Sequence, residues 1–404
     1  MERRVFIVVV AMGCGPTVGV GDTDGDGSAE GGTTSASASD DGSADDLDGC
    51  NSQCRVSGTE LWQILLPPLS SCPRLAALDE GGVAVVGNER FAPDVSIPHV
   101  LVVETDGGVR WTSQGGHWKY DEAVDTVADP IGFVVVGHGD APNGRTGWMQ
   151  RWAADGAMDA EVILDMDELG DQISDIEGRD ATSYWIVATD DELATDVLCS
   201  RSFDDPPASA MALVTDAFDV QLARAPDEGA YVSADAEVGT LTRVDRDGSV
   251  LWTLEYAAPI DTVPFTLALA STATGDAIVA GTDQGEPDAQ WIRRFASDGN
   301  ELWRVPVEVG AAPNEDLPLH VAVDGADAIF VVGWSQIETG NDGFLARYDR
   351  DGVELWQSIL PAEGELNVRP CDVAVASDGT LVVAGTEFVA GESPTAYWLR
   401  AFTP

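Results

Sequence analysis

Positive charge is what this 404-residue sequence has least of: 21 Lys and Arg stand against 70 Asp and Glu, for a formal charge of −49, and Lys119 is the only lysine. Nucleic acids and anionic membrane surfaces, both bound through Lys and Arg, are therefore excluded as partners. Histidine is also scarce. The four, His99, His117, His138 and His320, are widely separated, and none has a second His at metal-binding spacing. No G-x-S-x-G elbow, phosphate-binding Walker loop or H-E-x-x-H motif is present. No catalytic residue, metal or cofactor is assigned from the sequence, because any two of so many carboxylates could meet. Long apolar runs are absent as well, so no segment can cross a bilayer as a helix.

The one short apolar run lies at the amino terminus, in "MERRVFIVVVAMGCG", behind two arginines and ending at small residues and Cys14. It has the form of a signal-peptide core. Ending at Gly13-Cys14, it resembles a bacterial lipoprotein signal, although Ala11 stands where the family usually has Leu. The resemblance implies removal of residues 1–13 and lipidation of Cys14. Gly15 after the cysteine resembles outer-membrane sorting; secretion with cleavage nearby is the other reading. Residues 14–49 are almost entirely Gly, Ser, Thr, Ala and Asp after the cysteine, with no aromatic residue. Such a segment buries too little apolar surface to offset its ordering entropy, and it reads as an acidic tether. Its "DTDGDG" places Asp22, Asp24 and Asp26 at calcium-loop offsets, but Thr33 occupies the position that needs a bidentate Glu.

Residues 50–404 repeat. Segments such as "ALDEGGVAVVG" (77–87), "VADPIGFVVVG" (127–137) and "ASDGTLVVAG" (376–385) recur seven times with a period near 50, alternating with "RVDRDGSVLW" (243–252), "RRFASDGNELW" (293–303) and "RYDRDGVELW" (347–356). Runs of β-branched residues between Asp-Gly turns mean strands, and a long fixed period means a repeat architecture. Each unit reads as four strands joined by tight a–b and c–d turns on one face and longer b–c and d–a loops on the other. Four-stranded antiparallel units repeated radially predict an all-β, seven-bladed β-propeller. The carboxy-terminal strand lacks a following strand, and "SGTELWQIL" (57–65) lacks a preceding one, so the two should pair, the amino-terminal strand completing the last blade.

Trp62, Trp111, Trp252, Trp303 and Trp356 fall on the outer strands, where a flat ring can pack on the neighbouring unit. Arg151, Arg201, Arg243, Arg294 and Arg347, each on the third strand, are expected to form ion pairs between blades. Cys72 and Cys371 stand at nearly equivalent places in the first and last blades, and a disulfide between them would reinforce the seam; Cys50 with Cys54 is an equal alternative.

The Asp-Gly turn leading to an outer-strand tryptophan resembles the docking motif of quinoprotein-type (PQQ-like) propeller repeats, over most of residues 55–404. That resemblance implies architecture rather than chemistry: members that bind the quinone use residues not matched here, and others carry no cofactor and act as scaffolds. Sialidase-type Asp boxes place glycine differently, and WD and kelch signatures are missing.

Binding belongs on the long-loop face. His117, Trp118, Lys119 and Tyr120 gather aromatic and basic groups in one loop of an acidic chain, and Arg90, Phe91, His138 and Trp334 lie on or beside loops of the same face. The expectation is an extracytoplasmic binding or scaffolding propeller, outer-membrane lipoprotein or else secreted or periplasmic, with an unidentified protein or carbohydrate as partner and the membrane touched only through the lipid. The alternative is an exported carbohydrate-active hydrolase or lyase with carboxylates in the central funnel, recognisable by perturbed carboxyl pKa values there.

Overall fold

The computed structural model describes residues 9–10, 57–92, 95–115, 121–141, 144–164, 172–190, 195–203, 211–215, 219–235, 239–256, 263–284, 289–309, 316–337, 340–361, 366–389 and 394–404. Valine, isoleucine and threonine fill its strands, and positive-φ glycines such as Gly107, Gly156, Gly248, Gly299 and Gly352 make the third-to-fourth-strand turns, a conformation that costs glycine little. The strands form seven antiparallel sheets. Blades 1 to 6 span residues 74–114, 121–164, 172–215, 219–256, 263–306 and 316–360, each in sequential strand order. Blade 7 takes three strands from residues 366–402 and its outer one from Glu60–Leu66.

That shared blade closes the ring. Trp62 pairs with Ala401 and Ile64 with Leu399, and the Gly58 N–H donates to the Thr403 carbonyl at 3.0 Å. Val9–Val10 adds a short pairing to the outer edge of Glu60–Leu66; the remaining residues before 57, Cys14, Cys50 and Cys54 among them, lie outside the described residues. Cys72 and Cys371 are joined by a disulfide across the seam, with Cα atoms 5.6 Å apart.

The core is partitioned between blades. Seven apolar clusters are present, one for each interface of a closed seven-blade ring, where an open stack would have six. The seam cluster joins Ile64, Leu399 and Ala401 of blade 7 to Leu75, Val83 and Leu101 of blade 1. Cys199, the free cysteine among the described residues, is a buried packing residue whose thiol is pushed up to about 11 by that burial.

The repeated motif is a docking device. The indole N–H of Trp62, Trp111, Trp252 and Trp303 donates to Thr105, Ala154, Ser297 and Arg350 respectively, a carbonyl of the next blade's turn, at 2.8, 2.8, 2.9 and 3.0 Å. In each case the turn glycine lies on the ring, and Gly58 lies likewise on Trp356. The outer strands of blades 2 and 3, Met158–Leu164 and Met211–Thr215, carry no tryptophan. At the junction of blades 3 and 4, Trp185 of an inner strand donates instead to Glu228 at 3.1 Å.

The third-strand arginines correct one expectation: most pair within their own blade. Arg151 meets Asp159 at 2.6 Å, Arg243 meets Asp227, and Arg294 meets Asp276 at 2.7 Å. Arg347 lies over the Phe330 ring of its own blade, 5.5 Å from the centroid, and Arg201 donates to the neighbouring Ser200 carbonyl. Arg294 reaches the next blade at Asp327 and at the Arg350 carbonyl, and Arg151 lies over the Phe203 ring of blade 3, 4.7 Å from its centroid. The cause is proximity: for Arg243 and Arg294 the first turn of the same blade brings its aspartate beside the third strand, and for Arg151 the paired outer strand does.

Candidate functional site

The seven innermost strands surround a central channel, and their registers superpose. Arg74, Asp125, Asp175, Gln221, Ala268, His320 and Asp372 occupy one equivalent position, opposite the residue that precedes the small residue ending each second-strand run. In five blades a bulge stands just before it: Val124, Ser174, Leu267, Leu319 and Cys371 are the extra residues. A bulge re-aims the side chain that follows it. The result is a ring of polar groups midway along the channel, around a cavity of about 200 Å³.

Two sides of this ring differ. On blades 6, 7 and 1, His320 Nδ1 lies 3.2 Å from Asp372 Oδ1 and His320 Nε2 meets the Arg74 guanidinium. Since the guanidinium can only donate, Nε2 accepts and the Nδ1 proton points to Asp372. Burial alone would raise Asp372, but His320, Arg74 and the Leu75 amide together hold its carboxyl below the usual range. On blades 2 and 3 the neighbours are carboxylates. Burial, and then the charge and hydrogen bond of Asp125, push Asp175 well above its ordinary value. Glu177 stands two residues on, where the other blades have Ala76, Val127, Ala223, Ala270, Ala322 and Ala374. Burial first and Asp125 second raise it to about 8, against the opposing pull of Arg224 and the Gly178 amide.

These aspartates are also staples. Asp372 accepts the Val373 amide at Oδ1 (2.7 Å) and the Leu75 amide of blade 1 at Oδ2 (2.8 Å). Asp175 accepts the Ile176 amide at Oδ1 and the Leu222 amide of blade 4 at Oδ2, both at 2.7 Å. Asp125 accepts from Ile176 of blade 3 at 3.2 Å. Each carboxylate thus ties its blade to the next. Among the described residues no group of three or more His, Cys, Asp or Glu is arranged to hold a metal ion.

The loop-face residues singled out in the sequence fall into separate places. His138, buried on the second strand of blade 2, lies 3.7 Å from Glu122, whose carboxyl is held down first by that histidine and, after further contributions, by Arg145 and Arg90. Arg90, exposed on blade 1, and His138 therefore converge on one carboxylate. Trp334, half-buried on blade 6, is separated from them by blade 7. The side chain of Phe91 and all of His117, Trp118, Lys119 and Tyr120 lie outside the described residues. Sequence reasoning treated His320 as one more isolated histidine, and it placed carboxylates in the central funnel only as the alternative reading, naming none of the ring's members. Aligning the seven first strands on their turns would have placed Arg74, Asp125, Asp175, His320 and Asp372 in one column.

No protein-family model matches the sequence, and no curated protein matches it. Solved structures do. A protein of unknown function from Dyadobacter fermentans is 8% identical over 86% of this chain and 99% of its own, with a TM-score of 0.49. Sqt1 of Saccharomyces cerevisiae is 8% identical over 82% and 86%, with a TM-score of 0.48. A protein of unknown function from Bacteroides caccae is 15% identical over 50% and 68%, with a TM-score of 0.33.

Proposed function

We propose that this propeller is a non-enzymatic binding or scaffolding module outside the cytoplasm, held at a membrane by a lipid on Cys14 and lifted from it by the acidic tether of residues 14–49. The observation that carries the non-enzymatic part is the stapling of the channel aspartates. Both oxygens of Asp175 and of Asp372 accept backbone amides, in each case one of them from the next blade, which supports a structural role for these carboxyls in joining blades. The tryptophan docks are the feature shared with the quinoprotein-type repeat, and this chain is assigned to its cofactor-free, scaffolding side. The partner is a protein or carbohydrate met on the long-loop face.

A second reading, a carbohydrate hydrolase or lyase, draws on Glu177. A carboxyl raised to about 8 is neutral at pH 7 and could serve as a general acid. Labelling and turnover separate the two. In a bacterial host, radioactive palmitate should enter the full chain and be lost in Cys14→Ala, and the purified protein should release no product from a panel of polysaccharides. An unlabelled, cytoplasmic protein overturns the anchor; turnover that disappears in Glu177→Gln overturns the scaffold.

A further inference from the structure

Above the polar ring, toward the long-loop face, the channel widens into a second cavity of about 250 Å³. Its wall is chemically out of character for the chain. Arg74, Arg369 and His320 contribute to it, with Ser174, Gln221 and the Cys72–Cys371 disulfide, and among the described residues no carboxylate does. In a sequence with 70 acidic and 21 basic residues, that is a local reversal of sign.

We infer that this mouth is a binding site for the carboxylate end of a small hydroxylated acid, a sugar acid in particular, free or at the end of a glycan chain. The inference rests on the binding reading above and names the ligand. Arg74 is held in place by the relay through His320 to Asp372, so one guanidinium is fixed at the wall before any ligand arrives. Arg369 is exposed at the rim of the same cavity and supplies the second. Guanidinium groups match carboxylates in shape and charge. Ser174 and Gln221 bring hydroxyl and amide groups suited to sugar hydroxyls.

The axis of the channel adds direction. Below the mouth stand the carboxyl groups of Asp125, Asp175 and Glu177, suited to hydrogen-bond the hydroxyls of a sugar, while Arg369 stands at the mouth. A sugar acid therefore enters with its carboxylate outward. The two cavities have Arg74, Ser174, Gln221 and His320 in common, so they adjoin. Each is smaller than the roughly 300–1,000 Å³ that holds a drug-sized ligand, which limits the occupant to about one sugar ring.

The test is calorimetric titration of the full chain at pH 7 and low salt with galacturonate, its neutral twin galactose, acetate, and a galacturonate oligomer. Galacturonate should bind at least about tenfold more tightly than galactose or acetate, equivalent to about 1.4 kcal/mol. Arg369→Gln should weaken it about tenfold and Arg369→Glu should abolish it, with thermal unfolding unchanged because Arg369 is exposed. Tighter binding of the oligomer assigns the source to a glycan end, and equal binding to a free acid. Equal binding of galactose and galacturonate, no binding of either, or an unaltered Arg369→Glu overturns the inference while leaving the anchored, non-enzymatic reading intact. Cleavage of the oligomer during the titration would do the reverse.

Discussion

Gly156 of blade 2 lies flat against the indole of Trp111 in blade 1, so close that a Cβ built on it would stand 2.9 Å from the ring. Its φ of +91° is itself a conformation that residues with a side chain rarely adopt. Both demands fall on one residue because the turn that reverses the chain is also the surface on which the neighbouring blade docks.

Gly156→Ala should therefore cost on the order of 1–3 kcal/mol, more than an ordinary surface substitution, through strain and the displaced ring together. Trp111→Ala should cost about 3–5 kcal/mol. Because each change attacks the same contact, a double-mutant cycle by chemical denaturation should fall clearly short of additivity. An additive result would mean that glycine and tryptophan act independently.

Reducing the Cys72–Cys371 disulfide should destabilise the ring by about 2–5 kcal/mol, since its residues are 299 apart in sequence. Paired Cys→Ser variants should unfold at lower denaturant concentration. Their amide exchange should rise first at the seam, among Glu60–Leu66 and Ala396–Phe402, which pair there.

Glu177 gives alkaline sensitivity. Its folded pKa of about 8 lies above the usual carboxyl value, so the folded state holds more protons than the unfolded chain between about pH 4.5 and 8. Stability should fall as pH rises through that window. Glu177→Gln should flatten the decline and stabilise the protein at pH 8 by on the order of 2 kcal/mol, allowing for water in the channel. Asp372 acts oppositely: its lowered pKa contributes stability above the unfolded carboxyl value that is lost as pH falls. Thermal melts from pH 4 to 9 on both proteins would check the sign.

Blade 3 should open first. The interfaces on either side of it lack an outer-strand tryptophan, and the carboxyls of Asp175 and Glu177, raised first by burial, stand in the same blade. Hydrogen exchange measured by mass spectrometry should find the strands Gln172–Gly178 and Ser183–Asp190 less protected than their counterparts in blade 6. Equal protection would show that the apolar cluster around Trp185, Val187 and Leu222 compensates fully.

The architecture was legible because its determinants are local and copied: Asp-Gly turns, alternating β-branched runs and outer-strand tryptophans recur with one period. Closure was legible for the same reason, from a lone outer strand before the first blade and a last blade one strand short. The arginine pairing was misjudged because periodicity places a residue on a strand without saying which of two flanking carboxylates is nearer. The channel stayed hidden because its members lie about 50 residues apart, each in an unremarkable "AVDTV" or "LPLHV" context. Only superposed registers turn Arg74, His320 and Asp372 into one relay, and a bulge stands before His320 and before Asp372.

The pairing of Trp62 with Ala401 also sets a schedule for assembly. A chain made from its amino end has the strand at residue 60 waiting, edge bare, while six further blades are synthesised, and it cannot be sheltered until residue 402 has emerged. Bare edges of this kind invite pairing with other molecules. The last few residues therefore act as the latch of the whole molecule, and a chain cut short by a single strand would leave a nearly complete wheel with a sticky gap.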